Sequence, residues 1–108
     1  MRFKIWVEGE EGVFLGNGRV KLLEAIEQTG SISAAAKQMG MSYKKAWEQV
    51  NDMNKHSKQE LVRRMTGGKG GGGTRLTEAG RDWVNRFNSL KREIAGFVKE
   101  EEEQYSIK

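Results

Sequence analysis

The chain has 108 residues, 36% of them hydrophobic, with 19 Lys and Arg against 15 Asp and Glu for a net charge of +4. That length suits one domain with one core, and no apolar run approaches the ~18 residues of a membrane span or builds a signal-peptide h-region, so a soluble, cytoplasmic protein is expected. With no cysteine and a single histidine, His56, disulfides and thiolate metal sites are excluded and no cluster of nitrogen ligands can form, so neither metal nor cofactor is expected.

Residues 2–7 (Arg-Phe-Lys-Ile-Trp-Val) alternate polar and apolar, the period of a half-buried strand with Phe3, Ile5 and Val7 on one face and Trp6 on the other. Glu8 to Gly12 reads as a turn and Val13-Phe14-Leu15 as the returning strand, before Gly16-Asn17-Gly18 breaks the chain. A lone hairpin is not stable, so this one must pack on helices or on another subunit to hide Phe3, Trp6 and Phe14. Asn17 is a candidate cap for a helix over residues 18–28, whose apolar face is Val20, Leu22, Leu23 and Ile26 and whose stop is Gly30.

Residues 31–54 read as two short helices joined by a tight turn at Gly40, a helix-turn-helix. Ser33 is the expected cap of the first helix, and Ala34, Ala35 and Ala36 permit close approach of the second. Gly40 suits the positive φ of a helix C-terminus, and Ser42 caps the following helix. Tyr43, Ala46, Trp47, Val50 and Met53 make one apolar stripe expected to face the core. The opposite arc carries Lys44, Lys45, Glu48, Gln49 and Asp52, and the first turn (Ser42, Tyr43, Lys44, Lys45) stands where a recognition helix meets base edges and phosphates. A plainer alternative is a solvated face in which Lys44 and Glu48 form an i,i+4 pair.

Leu61 to Met65 and Arg75 to Thr77 read as paired strands around a nine-residue segment, Thr66 to Thr74, in which every residue from 67 to 73 but Lys69 is glycine. Two strands and a flexible loop directly after such a helix describe a wing. Gly68, Gly70 and Gly73 satisfy G-x-G-x-x-G by accident, because Arg63 and Arg64 precede them and no helix opens at the last glycine. A loop nearly without side chains brings backbone N–H groups close to phosphates, with Lys69 adding one charge; the alternative is a disordered linker. Between residues 37 and 75, nine basic residues stand against three acidic ones, a local net of +6 that leaves −2 elsewhere. Phosphate neutralisation requires such a face, although an ordinary basic patch would look the same.

Thr77 is the expected cap of the last helix, where Trp83, Phe87, Leu90, Ile94 and Phe97 recur at spacings of four, three, four and three. Phe87, Leu90, Ile94 and Phe97 are therefore assigned to dimerisation, with the alternative that Trp83 and Phe87 close the monomer's own core. The domain is placed at residues 1–99, and residues 100–108, opening on Glu100 to Glu103, are expected to form an acidic, disordered tail.

The segments Gly30 to Lys37, Met41 to Trp47, Asn51 to Asn54, Thr66 to Gly73 and Leu76 to Gly80, taken in order, resemble the N-terminal DNA-binding domain of the ModE molybdate-responsive regulators, in a stand-alone form. Part of this pattern is shared with LysR-type regulators; the Ser-Tyr-Lys and Gly-Gly-Lys-Gly-Gly-Gly-Gly pieces narrow it. The resemblance implies a mainly helical winged helix-turn-helix with an N-terminal β-hairpin and a long C-terminal dimerisation helix, binding double-stranded DNA as a homodimer on an inverted repeat. The residues assigned to DNA are Ser31, Ser33, Ser42, Tyr43, Lys44, Lys45, Gln49, Arg64, Lys69 and Arg75. In the full-length regulators oxyanion sensing belongs to β-rich C-terminal domains, for which this sequence has no counterpart, so molybdate binding is not expected. A winged-helix module that docks a protein instead of DNA is the alternative function, and no spacing of nucleophile, base or paired carboxylates suggests an enzyme.

Overall fold

The computed structural model describes residues 2–66 and 73–105. Its elements are β1 (Trp6–Gly9), β2 (Gly12–Gly16), α1 (Asn17–Thr29), α2 (Ile32–Met39), α3 (Tyr43–Lys55), β3 (Val62–Met65), β4 (Gly73–Leu76) and α4 (Glu78–Tyr105). Two antiparallel hairpins, β1–β2 and β3–β4, flank a trihelical unit, and α4 stretches the molecule to 57 × 29 × 23 Å. This is a winged helix-turn-helix.

One core joins these elements. It takes Leu15 from β2, Val20, Leu22, Leu23 and Ile26 from α1, Ala35 and Ala36 from α2, Ala46, Val50 and Met53 from α3, then Leu61, Val62, Leu76, Val84 and Phe87. The alternation of residues 2–7 is present, with Phe3, Ile5 and Val7 half-buried between exposed neighbours, yet strand pairing begins only at Trp6, four residues later than expected. A bulge between Val7 and Glu8 shifts the register, which increases local twist and limits regular pairing. Phe14 does reach the core, meeting Trp83 edge-on at 5.2 Å. Trp6 does not; it is exposed and its indole N–H donates to Glu8 Oε1 (2.8 Å).

Several sequence expectations are corrected. Asn17 is the first residue of α1 instead of its cap: Gly16 occupies the cap position with no side-chain bond, and Asn17 Oδ1 accepts from Lys91 Nζ (2.8 Å). The cap of α2 is Ser31, whose hydroxyl accepts from the Ala34 N–H (3.1 Å), while Ser33 lies within the helix. β4 starts at Gly73, two residues early, because Met65 pairs with Gly73. Finally, α4 continues through the glutamate run to Tyr105, so residues 100–105 are helical and not a disordered tail; glutamate is a good helix former, and repulsion in water is a small penalty. Residues 106–108 lie outside the described residues. Among the described residues no helix is long and apolar enough to cross a membrane.

Candidate nucleic-acid interface

The turn between α2 and α3 is built by local hydrogen bonds. Gly40 adopts φ 68°, ψ 31°, a left-handed geometry costly for residues with a Cβ, and the Met41 N–H closes back onto the Ala36 carbonyl (3.0 Å). Ser42 then caps α3 by accepting from the Lys45 N–H (3.1 Å). Ala35, Ala36 and Ala46 are all buried, so the helices meet through small side chains and α3 is held at a set angle.

The buried side of α3 is Ala46, Val50 and Met53. At about 100° per residue the arc opposite them consists of Lys44, Glu48, Asn51 and Lys55. Of these Lys44, Glu48, Asn51 and Lys55 are all exposed, as are Ser42, Tyr43 and Lys45 in the first turn. Among the described residues Lys44 and Glu48 make no ion pair, so the i,i+4 alternative is not realised. Two members of the expected apolar stripe stay outside: Tyr43 and Trp47 are 49% and 46% exposed. Both lie at the margin of the buried arc, and the core is closed without them by Ile32, Val62 and Leu76. Gln49 differs from the lysines. It is half-buried, and its Oε1 is enclosed with no hydrogen-bond partner.

The long-range polar contacts at the C-terminal end of α3 have no signature in the sequence. Asp52 Oδ2 accepts from Arg19 Nη1 (2.8 Å), and Arg19 also donates to the carbonyls of Val13 and Phe14 (3.1 Å each). His56 Nδ1 lies 2.9 Å from the Asp52 carbonyl and its Nε2 lies 2.6 Å from Glu11 Oε2. The hydrogen bond to Glu11, then that to the Asp52 backbone, favours the imidazolium and raises the His56 pKa above the ordinary histidine value. These contacts tie the N-terminal hairpin to α3. On the other side, Asn54 Oδ1 accepts from the N–H groups of Leu61 (2.8 Å) and Val62 (3.1 Å), and its Nδ2 donates to the Val62 carbonyl (2.9 Å). One carboxamide thus welds α3 to the start of the wing. No local pattern marks Asn54 for this; only the return of β3 supplies its partners.

In the wing, Arg63 pairs with Arg75 across the strands and Arg64 with Thr74. Arg63 has Glu60 at 4.0 Å, whereas Arg64 and Arg75 are exposed and have no carboxylate partner among the described residues. Lys69 and its flanking glycines, 67–72, lie outside the described residues. The wing is braced on α1, where Glu27 Oε2 accepts from the Leu76 N–H (3.1 Å) and Glu27 Oε1 meets Arg81 (3.3 Å). On α4 the apolar seam divides. Phe87 is 3% exposed and belongs to the monomer's core, correcting its assignment to dimerisation, because it joins the same buried cluster as Phe14 and the apolar face of α1. Leu90 and Phe97 are 46% and 62% exposed, and Ile94 is half-buried.

Residues 18–81 match the family model described as bacterial regulatory helix-turn-helix protein, lysR family. The chain is 47% identical over 81 residues to the transcriptional regulator ModE of Yersinia pestis, covering 75% of this chain and 31% of that protein. It is 44% identical over 87 residues to the molybdenum transport protein ModE of Azotobacter vinelandii (81% and 32%), and 44% over 81 residues to the DNA-binding transcriptional dual regulator ModE of Escherichia coli K12 (75% and 31%). The chain therefore spans about a third of the length of these relatives. Among solved structures it resembles the CbnR_DBD-DNA complex, with TM-score 0.60 at 21% identity over 83% of this chain and 97% of that one. It also resembles ArgP from Mycobacterium tuberculosis, with TM-score 0.53 at 21% identity over 75% and 30%. The likeness to the solved structures speaks to fold, the family match to descent: the chain belongs to the lysR family of bacterial regulatory helix-turn-helix proteins.

Proposed function

We propose that the chain is a sequence-specific transcriptional regulator that binds double-stranded DNA as a homodimer, placing two α3 helices in successive major grooves of an inverted repeat. The observation that carries this reading is the first turn of α3: Ser42, Tyr43, Lys44 and Lys45 are exposed together, with neither lysine paired to a carboxylate among the described residues, inside a stretch of net charge +6. Lys44 and Lys45 are the candidates for guanine edges, and Ser31, Ser33, Arg64 and Arg75 for the phosphate backbone. Lys69 and the glycines around it supply a further backbone contact. Half-buried Gln49 is the least suited of the sequence-assigned residues to reach a base without a change of rotamer. Exposed Leu90 and Phe97 with Ile94 support a helix–helix dimer contact. A protein-docking helix would carry an apolar outer arc; Lys44, Glu48, Asn51 and Lys55 make this one polar. The Yersinia pestis and Escherichia coli relatives are named as transcriptional regulators, and no role in catalysis is needed here.

The test is selection from a random duplex pool at two salt concentrations, followed by binding of Lys44→Ala, Lys45→Ala and Lys69→Ala to the recovered sequence. Enrichment of an inverted repeat is expected. Lys44→Ala and Lys45→Ala should weaken binding strongly and relax a base preference, whereas Lys69→Ala should weaken it on all sequences and lower the salt slope by about two, one for each protomer. No enrichment, or unchanged affinity in all three variants, overturns the proposal.

A further inference from the structure

Between α3 and the wing runs a shallow cleft of ≈ 200 Å³. Its apolar floor includes Val50 and Val62, and its rim includes Trp47 and Asn51 from α3 and Arg64 from β3. This rim is rich in hydrogen-bond donors. The indole and guanidinium are donors only, and the Asn51 carboxamide can donate; none of the three side chains has a hydrogen-bond or ion-pair partner among the described residues. Some comparable groups elsewhere are paired, Trp6 with Glu8, Asn54 with Leu61 and Val62, and Arg19 with Asp52. The nearby acid Asp52 is held by Arg19 and His56 away from the cleft lining, which leaves the cleft without a competing carboxylate.

A rim of unpaired donors around an apolar floor complements a group that is anionic and acceptor-rich at one end and apolar at the other. The cleft is smaller than the roughly 300–1,000 Å³ of a metabolite pocket, is open, and is carried by the same helix that exposes Lys44. We infer that it seats one sugar–phosphate unit of a DNA strand: Arg64 and Asn51 hold the phosphate and the Trp47 ring packs against the deoxyribose. The inference rests on the DNA-binding reading and extends it to two residues, Trp47 and Asn51, to which sequence patterning gives no part in binding. Trp47 then contributes affinity without reading sequence, and Arg64 fixes the register of the helix against the backbone.

The test uses the whole chain and the duplex recovered by selection. Arg64→Ala is expected to lose about tenfold in affinity and to lower the salt slope by about two, because one phosphate contact disappears from each protomer. Trp47→Ala is expected to lose about tenfold with the salt slope unchanged, and Trp47→Phe to recover most of that loss. One uncharged methylphosphonate linkage, scanned along each strand, should weaken the wild-type protein at several positions, at one of which in each half-site Arg64→Ala should lose nothing. The inference is overturned if Trp47→Ala and Arg64→Ala bind like wild type while Lys44→Ala does not, or if every methylphosphonate position affects wild type and Arg64→Ala equally. Failure of the wild-type protein to bind any duplex would overturn the DNA-binding reading beneath it. Circular dichroism checks that each variant is folded, which substitution at these exposed positions should not alter.

Discussion

Two glycines of α4 should respond to alanine in opposite directions. In a helix interior, alanine is favoured over glycine by about 1 kcal/mol, and at Gly96 nothing lies within 4 Å of the position a Cβ would take, so Gly96→Ala should stabilise by about 0.5–1 kcal/mol. Gly80 lies where α4 starts against the chain entering β3. A Cβ there would overlap the Leu61 carbonyl oxygen and stand 3.0 Å from its carbon, and the obstacle is backbone, which cannot rotate away. Relief needs a shift of about 1 Å to restore an ordinary C···O contact. That shift pulls on the bonds from the Thr77 N–H to the Leu61 carbonyl (2.9 Å) and from the Gly80 N–H to Thr77 Oγ1 (3.0 Å). Overpacking of about 1–3 kcal/mol and about 1 kcal/mol for each weakened bond outweigh the helical gain, leaving Gly80→Ala less stable by about 2–4 kcal/mol. At about 4–6 °C per kcal/mol for a domain of this size, the melting temperature should fall by about 10–20 °C, while that of Gly96→Ala rises by a few degrees. Thermal unfolding followed by circular dichroism, at one protein concentration so that self-association is held constant, decides the matter. A Gly80→Ala variant melting at or above wild type would show that α4 tolerates displacement from Leu61 and refute the packing argument.

Asn54→Ala should destabilise by about 2–3 kcal/mol, read from urea unfolding, because the Leu61 and Val62 N–H groups lose their acceptor. The raised His56 pKa sets a pH window: the charged ring is favoured in the folded state, so its stabilisation is complete below the ordinary histidine value and is lost as pH rises through the higher folded value. Urea midpoints between about pH 6 and about pH 8 should therefore fall with pH in the wild type and flatten in His56→Gln; an identical slope in both would refute the assignment. On the proposed α4 contact, Leu90→Glu with Phe97→Glu should yield a helical monomer by sedimentation equilibrium where the wild type is expected to sediment as a dimer, and an unchanged mass would remove the α4 seam as the contact.

The helical elements are legible in the sequence because each carries its own periodicity and punctuation. Ser42, Gly40 and Thr77 act within a turn of their position, so spacing alone identifies them. Ser31 and Ser33 show the limit: both suit the role of cap, and which one takes it is set by where the backbone leaves the extended conformation. Trp47 shows another, since hydrophobicity places it inside, whereas the core volume is already filled by Ile32, Val50 and Val62. Phe87 and Leu90 sit three residues apart in one seam but fall on either side of the boundary where the globular part of the domain ends. That boundary is tertiary. Asn54, Asp52 and His56 depend on partners contributed by β3, α1 and the N-terminal hairpin, beyond the reach of any local pattern. The glutamate run reads as disordered only when charge repulsion is weighed above intrinsic helix preference, and in α4 the preference wins.

The three bonds of Asn54 make the helix and the β-ribbon a single caliper. Under the DNA-binding proposal, the gap between the two jaws is set before any duplex arrives, so a target would have to fit that opening or deform to do so, and the energy of deformation depends on base sequence even at steps no side chain touches. Loosening the joint at Asn54 should therefore broaden the range of duplexes accepted at the same time as it weakens the grip on the best one.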